Sequence, residues 1–453
     1  MTDTRHIIVI GGGISGLATA YTLQEEARKA GSPVSYTLLE KDNRLGGKII
    51  TDRADGFVIE GGPDCFISQK RDAADLCRRL GIGDDLMGTN DERRKTFVVN
   101  HRRLTPLPDG VMLIIPTRIM PFVTSPLISW PGKLRMGMDL LIPRRPDDAD
   151  ESIADFVRRR LGREALAKIA EPLLSGIHVS DPEMQSLLGT FPRFRALEVN
   201  HRSLILGMLA GKRRPAAGNH GNGTGGGNGH SPSGPTSLFM SLRGGLSRLV
   251  ETLQAALTGQ VLTGVQATAV TRAEDGRFLV QTADGQALRG DAVVLASPAY
   301  VSGELIAGMA PELAQALAAI RYVSTATISL GYRAADVSHL LKGFGYVVPR
   351  QEHRQVSACT WTSTKFNHRA PEGMALVRCF VGGPGHEELV DLSDDELVAL
   401  ARREMKEIVG LDAQPVISRI FRWRRANPQY DVGHLDRMQQ MRSLTATQPG
   451  LFI

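Results

Sequence analysis

The amino-acid sequence predicts an α/β protein built around a parallel sheet. An apolar, β-branched run at residues 6–10 stops at a glycine-rich turn. Helical spacing of apolar residues follows over Ile14–Ala30, and a second apolar run covers residues 34–39. This order predicts a strand, a helix and a strand, that is, a βαβ unit. Such a unit requires parallel strands because the helix carries the chain back to the same end of the sheet.

Composition restricts the class of protein. The chain has 453 residues, of which 42% are hydrophobic and 23% are charged, so it is neither disordered nor fibrous nor a multi-span membrane protein. The net charge of +6 suits an anionic small molecule or an anionic membrane surface. No long basic run occurs, so we expect no nucleic-acid partner. The four cysteines form no CxxC pair, which predicts reduced thiols in a cytoplasmic protein and no metal site.

The sequence pattern in the middle of the chain predicts helices. Ser152 and Asp155 have the spacing of a capping box at the start of a helix, and a second helical block covers residues 164–174. We therefore expect a helical insertion over residues 85–205. A Gly-rich stretch at 206–236 cannot bury apolar surface and should be a flexible linker.

Strand signals dominate after the linker. A short segment and a helix are expected over residues 238–257, before the next strands. Strands are expected at 260–270, 278–282, 292–296, 416–421 and 451–453, and an antiparallel block of strands is expected over 322–381. The last long helix is expected over 391–409.

One uncharged run, residues 119–132, permits two interpretations. It contains three prolines and is too short to cross a bilayer as a helix. It is either a loop that covers the core, or a surface that dips into a membrane or lines an apolar channel.

The glycine-rich turn carries the chemistry. It has the GxGxxG pattern between a strand and a helix, and its members are Gly11, Gly12, Gly13, Ile14, Ser15 and Gly16. The first glycine permits the turn, the second lets the backbone approach a pyrophosphate, and the third lets the helix pack on the sheet. Glu40 ends the second strand, where a carboxylate accepts hydrogen bonds from a ribose diol. The combination predicts a dinucleotide site.

The next segments favour FAD over NAD. Residues 40–48 resemble the second signature of the flavin amine oxidase superfamily, in which basic side chains and a glycine pair approach the FAD phosphates. Residues 60–64 add glycines where the backbone can lie against a flavin. The positions concerned are Lys41, Arg44, Gly47, Lys48, Glu60, Gly61, Gly62 and Pro63.

Five internal motifs extend the resemblance over nearly the whole chain. They lie at residues 60–64, 174–182, 242–246, 343–349, and 422–423 with 428–430. Together they resemble the oxygen-dependent protoporphyrinogen and coproporphyrinogen oxidases of haem synthesis. The resemblance implies a discontinuous Rossmann-like FAD domain of the p-hydroxybenzoate-hydroxylase type, an α+β substrate domain and a helical membrane-associating insertion. The implied boundaries are 1–84, 237–300 and 416–453 for the FAD domain, 85–205 for the insertion, 206–236 for the linker and 301–415 for the substrate domain.

The resemblance also implies site residues. The FAD pyrophosphate falls on residues 11–16, the ribose on Glu40, the adenine near Ala267 and the flavin near Trp423, which could equally be a core tryptophan. The implied substrate residues are Gly176, Phe344, Trp361 and Lys70, the last as a partner for a propionate. Ser180 stands where many relatives have glycine. No general base is expected because the cofactor carries the chemistry.

The implied reaction oxidises a porphyrinogen, with oxygen as acceptor and hydrogen peroxide as product. A peripheral contact with the inner face of a membrane and a homodimer are compatible with this interpretation, and the choice between coproporphyrinogen and protoporphyrinogen stays open. Relatives continue into a C-terminal Gly-rich motif that this sequence does not contain. Either the sequence is a fragment or the protein lacks one wall of the cofactor site, in which case it could be an inactive flavin-site protein. The enzymatic alternatives are another flavin amine oxidase or a carotenoid desaturase.

Overall fold

The computed structural model describes residues 4–109, 111–112, 115–116, 119–213 and 237–453. The predicted linker at 206–236 lies outside these residues from 214 onwards. The strands are β1 (Arg5–Ile10), β2 (Val34–Glu40), β3 (Thr51–Ala54), β4 (Phe57–Glu60), β5 (Phe66–Ile67), β6 (Leu86–Gly88), β7 (Thr96–Asn100), β8 (Arg103–Pro106), β9 (Val111–Met112), β10 (Ile115–Pro116), β11 (Phe239–Leu242), β12 (Gln260–Thr263), β13 (Ala267–Arg272), β14 (Phe278–Thr282), β15 (Ala287–Gly290), β16 (Ala292–Leu295), β17 (Tyr322–Arg333), β18 (Gly345–Val347), β19 (Val356–Thr360), β20 (Met374–Gly382), β21 (Ile417–Pro428) and β22 (Leu451–Phe452).

The helices are spread along the described chain, and eight of them lie between residues 119 and 213. They are α1 (Ile14–Ala30), α2 (Asp72–Arg79), α3 (Ile119–Thr124), α4 (Trp130–Gly137), α5 (Ile153–Arg160), α6 (Arg163–Ala165), α7 (Glu171–His178), α8 (Leu187–Thr190), α9 (Pro192–His201), α10 (Leu204–Arg213), α11 (Ser247–Ala256), α12 (Ala299–Ile306), α13 (Pro311–Ala318), α14 (Ala334–Val337), α15 (Thr362–Lys365), α16 (Asp394–Val409) and α17 (His434–Ala446).

A five-stranded parallel sheet confirms the predicted α/β class. Its strand order is β12-β2-β1-β16-β22, and each of its neighbouring pairs is parallel. β1 is central and contributes Ile8, Val9 and Ile10 to the cores on the two faces. Strands buried on both faces need continuous apolar runs, and this requirement explains why the first strand is visible in the sequence.

The second large sheet of the fold is mixed and has seven strands. Its order is β21-β17-β20-β19-β18-β7-β8, and β18 and β7 are its parallel pair. The predicted antiparallel block at 322–381 is confirmed by β17, β19 and β20. β7 and β8 come from the segment predicted as a helical insertion and join this sheet, while Val98 of β7 also packs in the core of that segment's helices. The division of the chain into domains stays a prediction.

The helices of the middle segment surround a core of their own, in which Phe156, Ile169 and Phe194 are buried. Ser152 caps α5 as predicted, since its hydroxyl accepts a hydrogen bond from the N–H of Asp155. The block predicted at 164–174 extends from α6 to α7 through a π-helical turn, Leu166–Ala170.

Several strands and helices begin or end at residues other than those predicted, because tertiary contacts determine their length. The strand expected over 260–270 divides into β12 in the parallel sheet and β13 in a separate three-stranded sheet. β21 continues past residue 421 to Pro428 because it pairs along the whole of β17. The run at 119–132 contains α3 and the start of α4, so it is not a simple loop.

Candidate active site

The GxGxxG turn has the geometry that its glycines predict. Gly11 has a φ of 114°, and a Cβ atom there would lie 2.7 Å from the carbonyl oxygen of Ala296. A Cβ atom at Gly16 would lie 1.8 Å from the carbonyl oxygen of Gly11, so this helix can leave the sheet only with glycine at that position. A Cβ atom at Gly13 would meet no atom within 4 Å. The space at the N-terminus of α1 is therefore open where a pyrophosphate would bind.

Glu40 is buried at the carboxyl end of β2. Its Oε2 accepts a hydrogen bond of 2.8 Å from the N–H of Gly12, and its Oε1 accepts one of 2.9 Å from the N–H of Asp42. A carboxylate has about four acceptor positions. Two of them hold the turn in place, and the others are available to a ribose diol.

The second signature docks directly on the first. The N–H of Gly46 donates to the carbonyl of Gly12 at 2.8 Å, and Gly13 and Gly46 form a parallel bridge. Arg44 Nη2 donates to the carbonyl of Gly47 at 2.7 Å and stiffens the segment, while Lys41 is exposed. The two glycine-rich segments are therefore in direct contact, and their joint role in holding the cofactor phosphates stays a prediction.

Lys48 is an exposed residue whose Nζ turns towards the backbone beside these segments. Its Nζ donates to the carbonyl of Ala426 and forms no salt bridge with any residue that the structure describes. Burial lowers the pKa of the Lys48 ammonium below its usual value. A desolvated cation without a carboxylate is stabilised by an anionic ligand, which agrees with the predicted cofactor contact.

The loop at residues 60–64 is held from behind by three side chains. The carbonyl of Gly61 accepts hydrogen bonds from Trp423 Nε1 at 2.8 Å, Arg378 Nη2 at 2.9 Å and Thr327 Oγ1 at 3.1 Å. Arg378 Nη2 also donates to the carbonyl of Gly62 at 2.6 Å. Trp423 is thus beside the predicted flavin loop and not elsewhere in the core.

Two buried ion pairs support the same loop. Lys365 Nζ lies 2.9 Å from Asp64 Oδ2, and Arg369 Nη2 lies 3.6 Å from Glu60 Oε1. Burial alone would raise the pKa of Asp64, but the charges of Lys365 and Arg378 outweigh it and hold that pKa well below its usual range. Burial raises the pKa of Glu60, against the opposing effect of Arg369.

These residues fit FAD. The open position at Gly13, the free lone pairs of Glu40 and the cation of Lys48 lie on the two contacting segments to which the sequence assigns the pyrophosphate and the ribose. The N–H of Gly62 makes no hydrogen bond with the described residues and is available to the flavin ring. Ala267 lies where β13 begins, close to Val265, whose N–H donates to the carbonyl of Glu40. Its contact with the adenine stays a prediction.

Among the four predicted substrate residues, Phe344 and Trp361 are in direct contact, and Trp361 is almost fully buried in the core of the seven-stranded sheet. The N–H of Trp361 donates to the carbonyl of Phe344 at 2.8 Å. A Cβ atom on Gly176 would lie 3.2 Å from Val347 Cγ1, in the adjoining β18. Lys70 is exposed in the turn before α2 and has no recorded contact with the other three. Their roles as substrate ligands stay predictions.

The sequence did not indicate Thr327, Lys365, Arg369 or Arg378. They lie more than 260 positions from the loop that Thr327 and Arg378 contact. One local signal was present, because Arg378 interrupts the apolar strand 374–382. A charge at the centre of such a strand indicates a buried partner or a functional site.

Comparison with known proteins identifies the family. Residues 14–453 match the sequence profile described as flavin containing amine oxidoreductase. The chain belongs to this family. Its cofactor is FAD, as the sequence predicts.

Several relatives match nearly the full length. Coproporphyrinogen III oxidase of Bacillus subtilis (strain 168) is 36% identical over 99% of this chain and 93% of its own length. Chloroplastic protoporphyrinogen oxidase 1 of Arabidopsis thaliana is 30% identical over 100% of this chain and 84% of its own. The crystal structure of a candidate protoporphyrinogen oxidase from Exiguobacterium sp. 255-15 superposes with a TM-score of 0.85 at 32% identity, covering 100% and 94% of the two chains.

Proposed function

We propose that this chain oxidises a porphyrinogen to the porphyrin in haem biosynthesis and that coproporphyrinogen III is its preferred substrate. The proposal depends chiefly on full-length similarity. Relatives named coproporphyrinogen III oxidase are 32% to 37% identical to this chain, whereas those named protoporphyrinogen oxidase are 24% to 30% identical. The contacting glycine-rich segments and the loop at 61–63 support it, because this reaction needs FAD and no side-chain base.

In this reaction the cofactor and the protein residues have separate roles. Bound FAD supplies a two-electron oxidant that oxygen regenerates with release of hydrogen peroxide, and three such oxidations aromatise one porphyrinogen. Residues 11–16 and Glu40 hold the cofactor, and the loop at 61–63 orients its reactive ring. Gly176 and Phe344 would border the substrate and shield it from water, whereas the buried Trp361 would support Phe344 from the core through its backbone hydrogen bond. Lys70 would meet a propionate at the surface.

The test is a comparison of kcat/KM for coproporphyrinogen III, protoporphyrinogen IX and benzylamine, with porphyrin fluorescence and peroxide release as readouts. We expect coproporphyrinogen III to be the best substrate and benzylamine to be inert. Preference for protoporphyrinogen IX would overturn the choice of substrate, and turnover of benzylamine alone would overturn the proposal.

We further propose that the protein contacts a membrane surface peripherally through α3, α4 and the turn after them. Met120, Trp130, Leu134 and Leu141 are between 65% and 73% exposed, and Lys133 Nζ lies 4.5 Å from the centre of the Trp130 ring. Apolar side chains next to a lysine suit an anionic lipid surface. Among the described residues, no helix is long and apolar enough to span a bilayer.

Co-sedimentation with anionic phospholipid vesicles tests this contact. The double variant Trp130→Ser, Leu134→Ser should lose most of the bound fraction. Val416→Ser removes a comparably exposed apolar residue from another surface and should bind like the parent chain. Equal binding by all three proteins would refute the proposed surface.

A further inference from the structure

Arg378 is the charged member of the three donors that hold the carbonyl of Gly61. It lies in β20, paired with Ser329 of β17 and Thr360 of β19, so its backbone is fixed from both sides. Thr327 and Trp423 are neutral donors to the same oxygen. A hydrogen bond from a charged donor is about twice as strong as one from a neutral donor. Arg378 therefore dominates the electrostatics of this contact.

Arg378 brings an uncompensated positive charge into the core. Its side chain is buried, its Nε has no hydrogen-bond partner and it forms no salt bridge with the described residues. The neighbouring acids Asp64 and Glu60 are already paired with Lys365 and Arg369. The buried group thus has one more base than acid. An unpaired buried charge is costly to folding, so its retention calls for a function.

The peptide between Gly61 and Gly62 connects this charge to the predicted cofactor site. In a trans peptide the carbonyl and the following N–H point in opposite directions. Because the Gly61 carbonyl faces Arg378, the N–H of Gly62 faces away from it, and that N–H has no partner among the described residues. A cation on the carbonyl polarises the peptide and makes its N–H a stronger donor.

We propose that Arg378 stabilises the reduced form of bound FAD through the Gly61–Gly62 peptide. The proposal rests on the placement of the flavin at residues 61–63. Two-electron reduction increases the negative charge on the flavin, and a polarised N–H together with a buried cation favours that charge. Arg378 touches neither cofactor nor substrate in this scheme and is a positioning residue.

The test compares two substitutions that differ in charge and retain one donor each. Arg378→Lys keeps the cation, and Arg378→Gln replaces it with a neutral amide. After FAD stoichiometry has been established, the reduction potential of the bound flavin is measured against a reference dye. We expect Arg378→Gln to lower the ratio of reduced to oxidised flavin at fixed dye potential at least tenfold, equivalent to 29.6 mV for a two-electron couple. Arg378→Lys should stay within threefold of the parent.

Thr327→Val is the matched control, because it removes a neutral donor from the same carbonyl. It should leave the ratio within threefold. Equal potentials for Arg378→Gln and Arg378→Lys, or the same drop in Thr327→Val, would overturn the proposal. If Arg378→Gln does not fold, the parent protein still decides: it should bind reduced FAD at least tenfold more tightly than oxidised FAD, and the reverse order would refute the proposal. None of these readouts depends on porphyrinogen turnover, so the substrate assignment is tested separately.

Discussion

Gly12 and Glu40 are joined by a hydrogen bond of 2.8 Å from the Gly12 N–H to Glu40 Oε2. The bond links the glycine-rich turn to the end of the neighbouring strand. One carboxylate therefore fixes the shape of the turn, and in the proposed site its remaining lone pairs receive the ribose. This double use explains why an acid at the end of β2 accompanies the glycines of the turn.

Glu40→Gln should weaken FAD binding. The amide offers one acceptor oxygen, so either the Gly12 N–H or the Asp42 N–H loses its partner, and the ribose loses a charged acceptor. The loss of one such bond to the ribose, at about 1–3 kcal/mol, predicts a rise in Kd of roughly fivefold to 150-fold. Calorimetric titration of the apoprotein with FAD measures it. The exposed Glu26→Gln should bind FAD as the parent does, and an unchanged Kd in Glu40→Gln would contradict the ribose assignment.

Gly13→Val should abolish cofactor binding without unfolding the protein. Gly13 has an ordinary extended backbone with φ of −69°, and a side chain there meets no protein atom within 4 Å. The valine would occupy the space of the pyrophosphate, so we expect Kd for FAD to rise at least about a hundredfold. Circular dichroism and thermal denaturation should match the parent apoprotein.

Two other glycines provide controls for this change. Gly308 lies in the turn after α12, and a Cβ atom there would also meet no atom within 4 Å. The variant Gly308→Val should therefore bind FAD as the parent does. Gly16→Val would clash with the backbone of Gly11 and should destabilise the fold itself. Retention of the yellow flavin spectrum in Gly13→Val would show that the pyrophosphate lies elsewhere.

The buried pair of Asp64 and Lys365 should show strong thermodynamic coupling. Asp64→Asn leaves the ammonium of Lys365 without its carboxylate and should lower the free energy of unfolding by about 3–5 kcal/mol. The double variant Asp64→Asn, Lys365→Met removes both charges and should recover most of that loss. Urea denaturation of the four proteins in the cycle measures it, and strictly additive effects would contradict the direct pair.

The same pair has a defined pH dependence. The pKa of Asp64 is lower in the folded protein than in the unfolded chain, so the folded state binds fewer protons. The stabilisation is therefore present above the unfolded pKa of about 3.9 and disappears as the pH falls through the folded pKa. The difference in stability between the parent and Asp64→Asn should persist at neutral pH and shrink in acid.

Glu171 has the opposite dependence. Burial, partly offset by the Arg350 backbone and guanidinium, raises its pKa to about 7. The folded state then binds more protons than the unfolded chain, so the stabilisation is complete below about pH 4 and is lost as the pH rises through 7. Between pH 5 and pH 8 the parent should lose about 2–3 kcal/mol relative to Glu171→Gln. Parallel pH profiles for the two proteins would contradict the raised pKa.

Local patterns predicted the parts of the site that are continuous in sequence. The βαβ unit, the GxGxxG turn and Glu40 fall within the first forty residues, where strand, helix and turn signals are short-range. These signals were sufficient because the glycines at positions 11 and 16 are required by close contacts with nearby backbone atoms. The loop at 60–64 was identified differently, through the resemblance of its residues to a motif of the flavin amine oxidase superfamily.

The support behind that loop could not be read from the sequence. Thr327, Arg378 and Trp423 meet at Gly61 only because β17, β20 and β21 are neighbours in one sheet. Strand order is a tertiary property, and no local pattern encodes it. The same limit explains β7, whose short run gave no sign of pairing with β18 more than 240 residues later, and β8, which joins the sheet only through β7.

Anaerobic mixing of the FAD-loaded protein with coproporphyrinogen III tests the central claim most directly. We expect the yellow absorbance of the flavin to bleach as porphyrin fluorescence appears, and to return with peroxide release when oxygen is admitted. Flavin that stays oxidised in the presence of coproporphyrinogen III and protoporphyrinogen IX, in a protein with full FAD occupancy, would contradict the account.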